Sequence, residues 1–381
     1  MLNRRTFAAG IGATAIAGAA QALEVDDDAA IRDILRRRVE VERRAVGMAV
    51  CVVTPSRRRF VGWGRERLSD DRPVTSETVF EIGSITKVFT ALLLADMARR
   101  GEVGLDDPAA RHLPGDFHLP VVDGRQITLT DLATHTSGLP RFPTFPGTPL
   151  SPSWIEALAR FNVEDFKAWL QDFHPQRPAG AAWEYSNQGY ALLGMALGHR
   201  GGQPYETLLQ ERVLGPLGLQ DTTFYPTAAM KSRLAEGHDA TLKPIPPFDC
   251  GIWIAAGGLL STPRDLSHFA AAILPSSGAR IALDQRLALS IRRPAPQIGG
   301  VQALGWEMLD ASEGAFVNKD GVTWDQAASM VLDTYQRRAI VVFSNTFPQF
   351  THDTSPSGGG IGAADIARHL LRPRIPLGGQ G

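Results

Sequence analysis

The sequence predicts an α/β fold of the α+β kind: an antiparallel sheet flanked by helices and built from both chain ends, with an all-helical region inserted between them. Three observations carry this. Strand-like apolar runs come early, at Met48 to Thr54 and Arg58 to Trp63, joined by Pro55-Ser56 turn chemistry. Helical spacing dominates the middle of the chain, and the strand pattern returns at Trp306 to Leu309, Ala315 to Asn318, Ala327 to Leu332 and Ala339 to Phe343. Strands at both ends with helices between them place the sheet domain at 23–102 and 260–381 and the mostly helical domain at 103–259.

Taken in order, Met1-Leu2-Asn3-Arg4-Arg5-Thr6-Phe7 leads into an Ala/Gly-rich apolar stretch ending Ala20-Gln21-Ala22. Paired arginines, a short apolar region and an A-x-A site describe a twin-arginine export signal over 1–22, cleaved before Leu23. No later stretch reaches membrane-spanning length, so a periplasmic protein without an integral membrane segment is expected. Helical spacing then runs from Asp28 to Arg44. After the first strand pair, Ser84 opens a long apolar helix that Gly101 stops. Thr128-Leu129-Thr130-Asp131 fits a capping box and leads to His135, which reads as the residue holding a turn. Ser153 to Phe173 is helical. Tyr185-Ser186-Asn187 sits at a loop-to-helix junction, where it either caps the helix or points two side chains into a cavity. Thr262-Pro263 opens another helix with proline in its first position, and Ala363 to Leu371 forms the last.

The chain has 381 residues with 39 Lys plus Arg against 40 Asp plus Glu. Without Arg4 and Arg5 the net charge is −3, which offers no electrostatic footprint for nucleic acid. Two cysteines, Cys51 and Cys250, and nine histidines show no metal spacing, and Cys51 reads as core filler. Gly358 to Ala363 and Gly10 to Ala15 both match G-x-G-x-x-A, but one has no βαβ unit after it and the other lies in the signal, so neither reads as a nucleotide site. A G-x-S-x-G elbow is absent.

Only five of the cationic residues are lysines: Lys87, Lys167, Lys231, Lys243 and Lys319. Arginine does not deprotonate at usable pH, whereas a buried lysine does, so a site needing a switchable amine must use one of these five. Ser84 and Lys87 are three apart where a helix begins and share a face, placing a hydroxyl beside a possible base. Read with Tyr185-Ser186-Asn187 and Lys319-Asp320-Gly321, they form an ordered set: S-x-x-K, Y-x-N and K-x-G.

This set resembles the serine-active penicillin-recognising superfamily: class C β-lactamases (peptidase family S12), related D-alanyl-D-alanine carboxypeptidases, and family VIII esterases. The segments Leu132 to Ser137 and Thr222-Thr223-Phe224 look most like AmpH-type carboxypeptidase/endopeptidases. The resemblance runs from about Val46 to the last helix and implies a β-lactamase/transpeptidase-like fold. It implies an acyl-enzyme on Ser84, with Lys87 and Tyr185 as proton acceptors. Asn187 would hold a substrate amide, and Lys319 a substrate carboxylate or Tyr185. The backbone N–H groups of Ser84 and Val322, the residue after Gly321 on an edge strand, would form an oxyanion hole. No cofactor or metal is implied. The substrate would be a β-lactam or a peptidoglycan-type peptide, and the protein a monomer. Unperturbed, lysine titrates at about 10.4 and tyrosine at about 10, so a base at neutral pH requires a shift in one of them.

Departures bear on the substrate. Asp320 stands where the third motif often has Thr, and its carboxylate would repel an anionic substrate if it faced the site. Val322-Thr323-Trp324-Asp325 is bulkier than the usual Gly-rich continuation, and Arg141-Phe142 follows the Leu-Pro segment where Gln is common. These features give two alternatives: a carboxylesterase acting on small esters, and a penicillin-binding sensor that forms an adduct without turnover.

Overall fold

The structure is a computed structural model, and it describes residues 28–147, 151–247, 249–275, 280–310, 314–347 and 362–378. The export signal and residues 358–361 of the glycine run lie outside the described residues.

Among the described residues, eight strands form one antiparallel sheet: β1 (Gly47–Thr54), β2 (Arg57–Gly64), β3 (Arg293–Ala295), β4 (Gly300–Gln302), β5 (Glu307–Leu309), β6 (Phe316–Val322), β7 (Ala327–Asp333) and β8 (Arg338–Ser344). Their order is β2-β1-β8-β7-β6-β5-β4-β3, so the first strand pairs directly with the last, Cys51 opposite Val341. Both faces of the sheet centre are covered, and alternation divides each strand between two cores. Ala49, Cys51 and Val53 of β1 join Val341 and Phe343 of β8 in the larger core, with Leu92 and Phe269 of the helices behind. Met48, Val50 and Val52 face the other way, onto Ile31, Leu35, Ile366 and Leu370.

That second face is covered by α1 (Asp28–Arg36) and a helix near the C-terminus, Ala363–Leu371. Buried Arg38, on the π-turn following α1, bonds Asp365 at 2.6 Å, tying the two chain ends together. The larger core surrounds α2 (Thr86–Arg99), whose residues from Thr86 to Met97 are all buried. A helix apolar on every side belongs inside a domain.

The predicted antiparallel sheet from both chain ends, with helices between, is what the chain forms. Local differences have local causes. The helical stretch from Ser153 breaks into Pro152–Arg160 and Val163–Asp172, because Asn162 caps the second helix through a capping box with Asp165. β3 and β4, three residues each, were too short to give a periodic signal. The strand expected to end at Asn318 continues to Val322, so Lys319-Asp320-Gly321 lies on a strand. Among the described residues no helix is long and apolar enough to cross a membrane.

Candidate active site

Ser84 sits on a single 3-10 turn, Gly83–Ile85, that feeds directly into α2, and Lys87 is the second residue of α2. The first amides of such a turn have no acceptor within the helix and aim outward. β6 passes alongside. It is internal to the sheet, not the edge strand expected, but β5 pairs only with Phe316, Val317 and Asn318. The half carrying Lys319 to Val322 therefore has a locally open edge, which the Ser84 turn approaches. The approach is close: a Cβ on Gly321 would lie 1.9 Å from the Ile82 carbonyl oxygen, and one on Gly83, at φ +48°, 2.6 Å from the Val322 nitrogen. Only glycine fits at either position.

Tyr185-Ser186-Asn187 caps its helix and also turns toward Ser84, with Asn187 but not Tyr185 lining a cavity beside that serine. Ser186 caps the helix Asn187–Gly201 by accepting from Gly189 N–H at 2.9 Å, while the residues on either side of it turn toward Ser84. The Tyr185 hydroxyl donates to Ser84 Oγ at 2.7 Å, and Lys87 Nζ donates to the same oxygen at 3.0 Å. Lys87 Nζ also donates to Asn187 Oδ1 at 2.8 Å and to the Ala256 carbonyl at 2.7 Å. As an ammonium, Lys87 spends its three hydrogens on these three acceptors. As a neutral amine it keeps two for the carbonyl oxygens, and its lone pair then points at Ser84.

Electrostatics favour a proton acceptor here. Complete burial is the main cause that brings Lys87 down to about 8, helped by the positive charge of Lys319 and opposed by Tyr185. Burial pushes the Tyr185 phenol up, but Lys87, Lys319 and Arg141 together outweigh it and bring it down to about 7. Lys87 Nζ, Lys319 Nζ and Arg141 Cζ lie 5.0, 5.1 and 5.1 Å from the Tyr185 ring centroid. Because Lys87 and Tyr185 share hydrogen bonds, the proton belongs to the pair.

Lys319 is buried like Lys87, but its Nζ is 3.1 Å from Glu307 Oε1. Burial alone would lower it; Glu307 overrides that and raises it. The next residue points the other way, as strand geometry requires. Asp320 lies 2.5 Å from Arg368 of the last helix and accepts from Ser329 Oγ at 2.6 Å. It faces away from Ser84, so the repulsion of an anionic substrate considered from sequence does not arise.

His135 holds a turn at φ +58°, as expected, and does more. Its Nδ1 accepts from Ser186 N–H at 3.1 Å, and its ring stacks on Tyr185 with centroids 4.4 Å apart. Burial, reinforced by the nearby cations, holds it well below its usual range, so the ring is neutral. Sequence reasoning missed Glu307, the Ala256 carbonyl and the position of the Arg141 guanidinium. Glu307 is paired through strand register alone, which leaves no sequence signal; the Leu-Pro-Arg spacing could have drawn attention to Arg141.

Beside Ser84 opens a cavity of about 550 Å³, also lined by Asn187, Arg141, Val322 and an aromatic wall. In that wall Phe142, Phe145 and Trp324 meet Trp154 edge-on, at centroid distances of 5.3, 5.6 and 5.6 Å. Cys51 and Cys250 are both free and buried. Among the described residues no group of His, Cys, Asp or Glu has metal-holding geometry.

A family described as "Beta-lactamase" matches residues 28–356. The D-alanyl-D-alanine-carboxypeptidase/endopeptidase AmpH of Escherichia coli K12 is 31% identical over 225 residues, 59% of this chain; the match spans only 56% of that relative's length. A beta-lactamase of Escherichia coli K12 is 30% identical over 285 residues, 74% of this chain and 71% of that protein. The crystal structure of a beta-lactamase/D-alanine carboxypeptidase from Yersinia pestis, complexed with citrate, superposes with a TM-score of 0.74 at 26% identity, covering 92% of this chain and 100% of that one.

Proposed function

The chain belongs to the beta-lactamase family, and from that premise we propose that it is a periplasmic serine hydrolase that forms an acyl-enzyme on Ser84 and hydrolyses β-lactams or D-Ala-D-Ala-type peptides. The observation that carries the reading is the convergence of Tyr185 OH and Lys87 Nζ on one serine oxygen, at 2.7 and 3.0 Å. A serine hydroxyl becomes a competent nucleophile when a neighbouring base takes its proton in the transition state.

In this reading Ser84 Oγ bonds to the substrate carbonyl carbon as its proton passes to the Tyr185–Lys87 pair. The Ser84 and Val322 N–H groups hold the oxyanion, and Asn187 holds the substrate amide. The C–N bond then breaks, and the nitrogen takes up the proton. Water attacks the resulting ester, gives its proton to the same pair, and restores the serine. Export through a leader at 1–22 and action as a monomer belong to the same proposal.

Intact-mass measurement after exposure to benzylpenicillin tests it. An adduct on the wild-type chain and none on Ser84→Ala is expected, with nitrocefin turnover falling about 10⁴-fold or more in the variant. An adduct that survives the substitution refutes the assignment of Ser84. A wild-type adduct that never clears favours the non-turnover sensor. The aromatic wall favours a second reading, a carboxylesterase, and p-nitrophenyl butyrate turnover exceeding nitrocefin turnover would support it.

A further inference from the structure

Both substrate classes proposed above carry a carboxylate, and three cations surround Tyr185. Two are spoken for. Lys87 is fully buried and spends its hydrogens on Ser84, Asn187 and Ala256. Lys319 is 1% exposed, bonded to Glu307, and not part of the cavity wall. The third, Arg141, is exposed and lines the cavity together with Ser84, and among the described residues no carboxylate pairs with it.

Its position is fixed by the backbone. The Arg141 carbonyl accepts from Asn187 N–H at 3.2 Å, and the preceding Pro140 carbonyl accepts from Ser186 Oγ at 3.0 Å. The segment carrying Arg141 is thus stapled at two points to the loop carrying Tyr185 and Asn187, and its guanidinium stands 5.1 Å from the Tyr185 ring. A planar fork of donors at the mouth of a mostly apolar cavity is well suited to a carboxylate, and better suited than a point charge.

Resting on the acyl-transfer reading above, we infer that Arg141, rather than Lys319, binds the substrate carboxylate and sets the preference for anionic over neutral substrates. The aromatic wall of Phe142, Trp154 and Trp324 then receives the apolar acyl side of the same molecule.

Benzylpenicillin and its methyl ester, which differ only in that charge, provide the test. Calorimetry on the Ser84→Ala chain reads binding without chemistry. The acid is expected to bind about 10-fold to 100-fold more tightly than the ester. Adding Arg141→Gln removes the preference, and adding Arg141→Lys retains part of it. Equal binding of acid and ester with Arg141 in place, or binding of neither, overturns the inference, as does a preference that survives Arg141→Gln. With Ser84 intact, Arg141→Gln raises KM for benzylpenicillin more than it lowers kcat. A loss confined to kcat would mean that Arg141 acts only through the protonation of Tyr185, and would also overturn the inference. Failure of the hydrolase reading looks different: no turnover by the wild type, with the acid preference intact.

Discussion

Lys87 and Lys319 flank the same phenol at nearly the same distance, 5.0 and 5.1 Å from its ring centroid, and both are buried. One titrates near 8 and the other is raised above its ordinary value. The main difference is a carboxylate in direct contact. Lys319 has Glu307 at 3.1 Å, while the hydrogen-bond acceptors of Lys87 are all neutral oxygens. Burial by itself weakens an ammonium, and a buried counterion restores it. One side-chain type thus supplies a permanent charge on one side of the tyrosine and a removable proton on the other.

The sharpest way to break this comparison is to remove each amine in turn. Lys87→Met is expected to lower kcat by about 10³-fold, within the range for loss of general base function, and Lys319→Met by less. Equal losses in a stopped-flow acylation assay would erase the distinction between them. The pH profile comes next. Because Tyr185 is brought down from the ordinary tyrosine value to about 7, its basic form is populated above that pH. Acylation should therefore fall about 10-fold per pH unit below 7, and Tyr185→Phe should abolish that acid limb.

Stability separates the two lysines in the opposite direction. Lys319→Met strands the Glu307 carboxylate and should destabilise the protein by about 3–5 kcal/mol in denaturant melts, with much of the loss recovered in Lys319→Met/Glu307→Leu. Lys87→Met removes hydrogen bonds but strands no charge, and should destabilise by about 1–3 kcal/mol. Least of all should turnover respond to Asp320→Ala. That change strands Arg368 and lowers stability by about 3–5 kcal/mol, while the ratio of nitrocefin to p-nitrophenyl butyrate hydrolysis stays constant. A shifted ratio would return Asp320 to the site.

Ser84, Lys87, Tyr185 and Asn187 could be singled out from sequence because each pair has a local spacing, i to i+3 at a helix start and two residues around a helix cap, and because the three motifs follow one another in the order of the family they resemble. The sheet was legible where strands ran seven or eight residues with clear apolar content. Glu307 was not, because it meets Lys319 only through the pairing of β5 with β6, and a shift of register would remove the contact. The orientation of Asp320 was hidden for a related reason: the apolar pattern stopped at Asn318, and the edge strand implied by the resemblance did not say which face Asp320 takes. Its partner Arg368 is 48 positions away on a helix that packs across the sheet.

The direct pairing of β1 with β8 means that the sheet centre closes only when a late segment meets an early one. A ribosome that has delivered Ser84, Lys87 and Tyr185 has made the nucleophile and its proton acceptors, but the strand bearing Val322 and the sheet centre that supports it have yet to be translated. Chains released before Ser344 should be inert in the nitrocefin assay, and hydrolysis should begin only once β8 has been made.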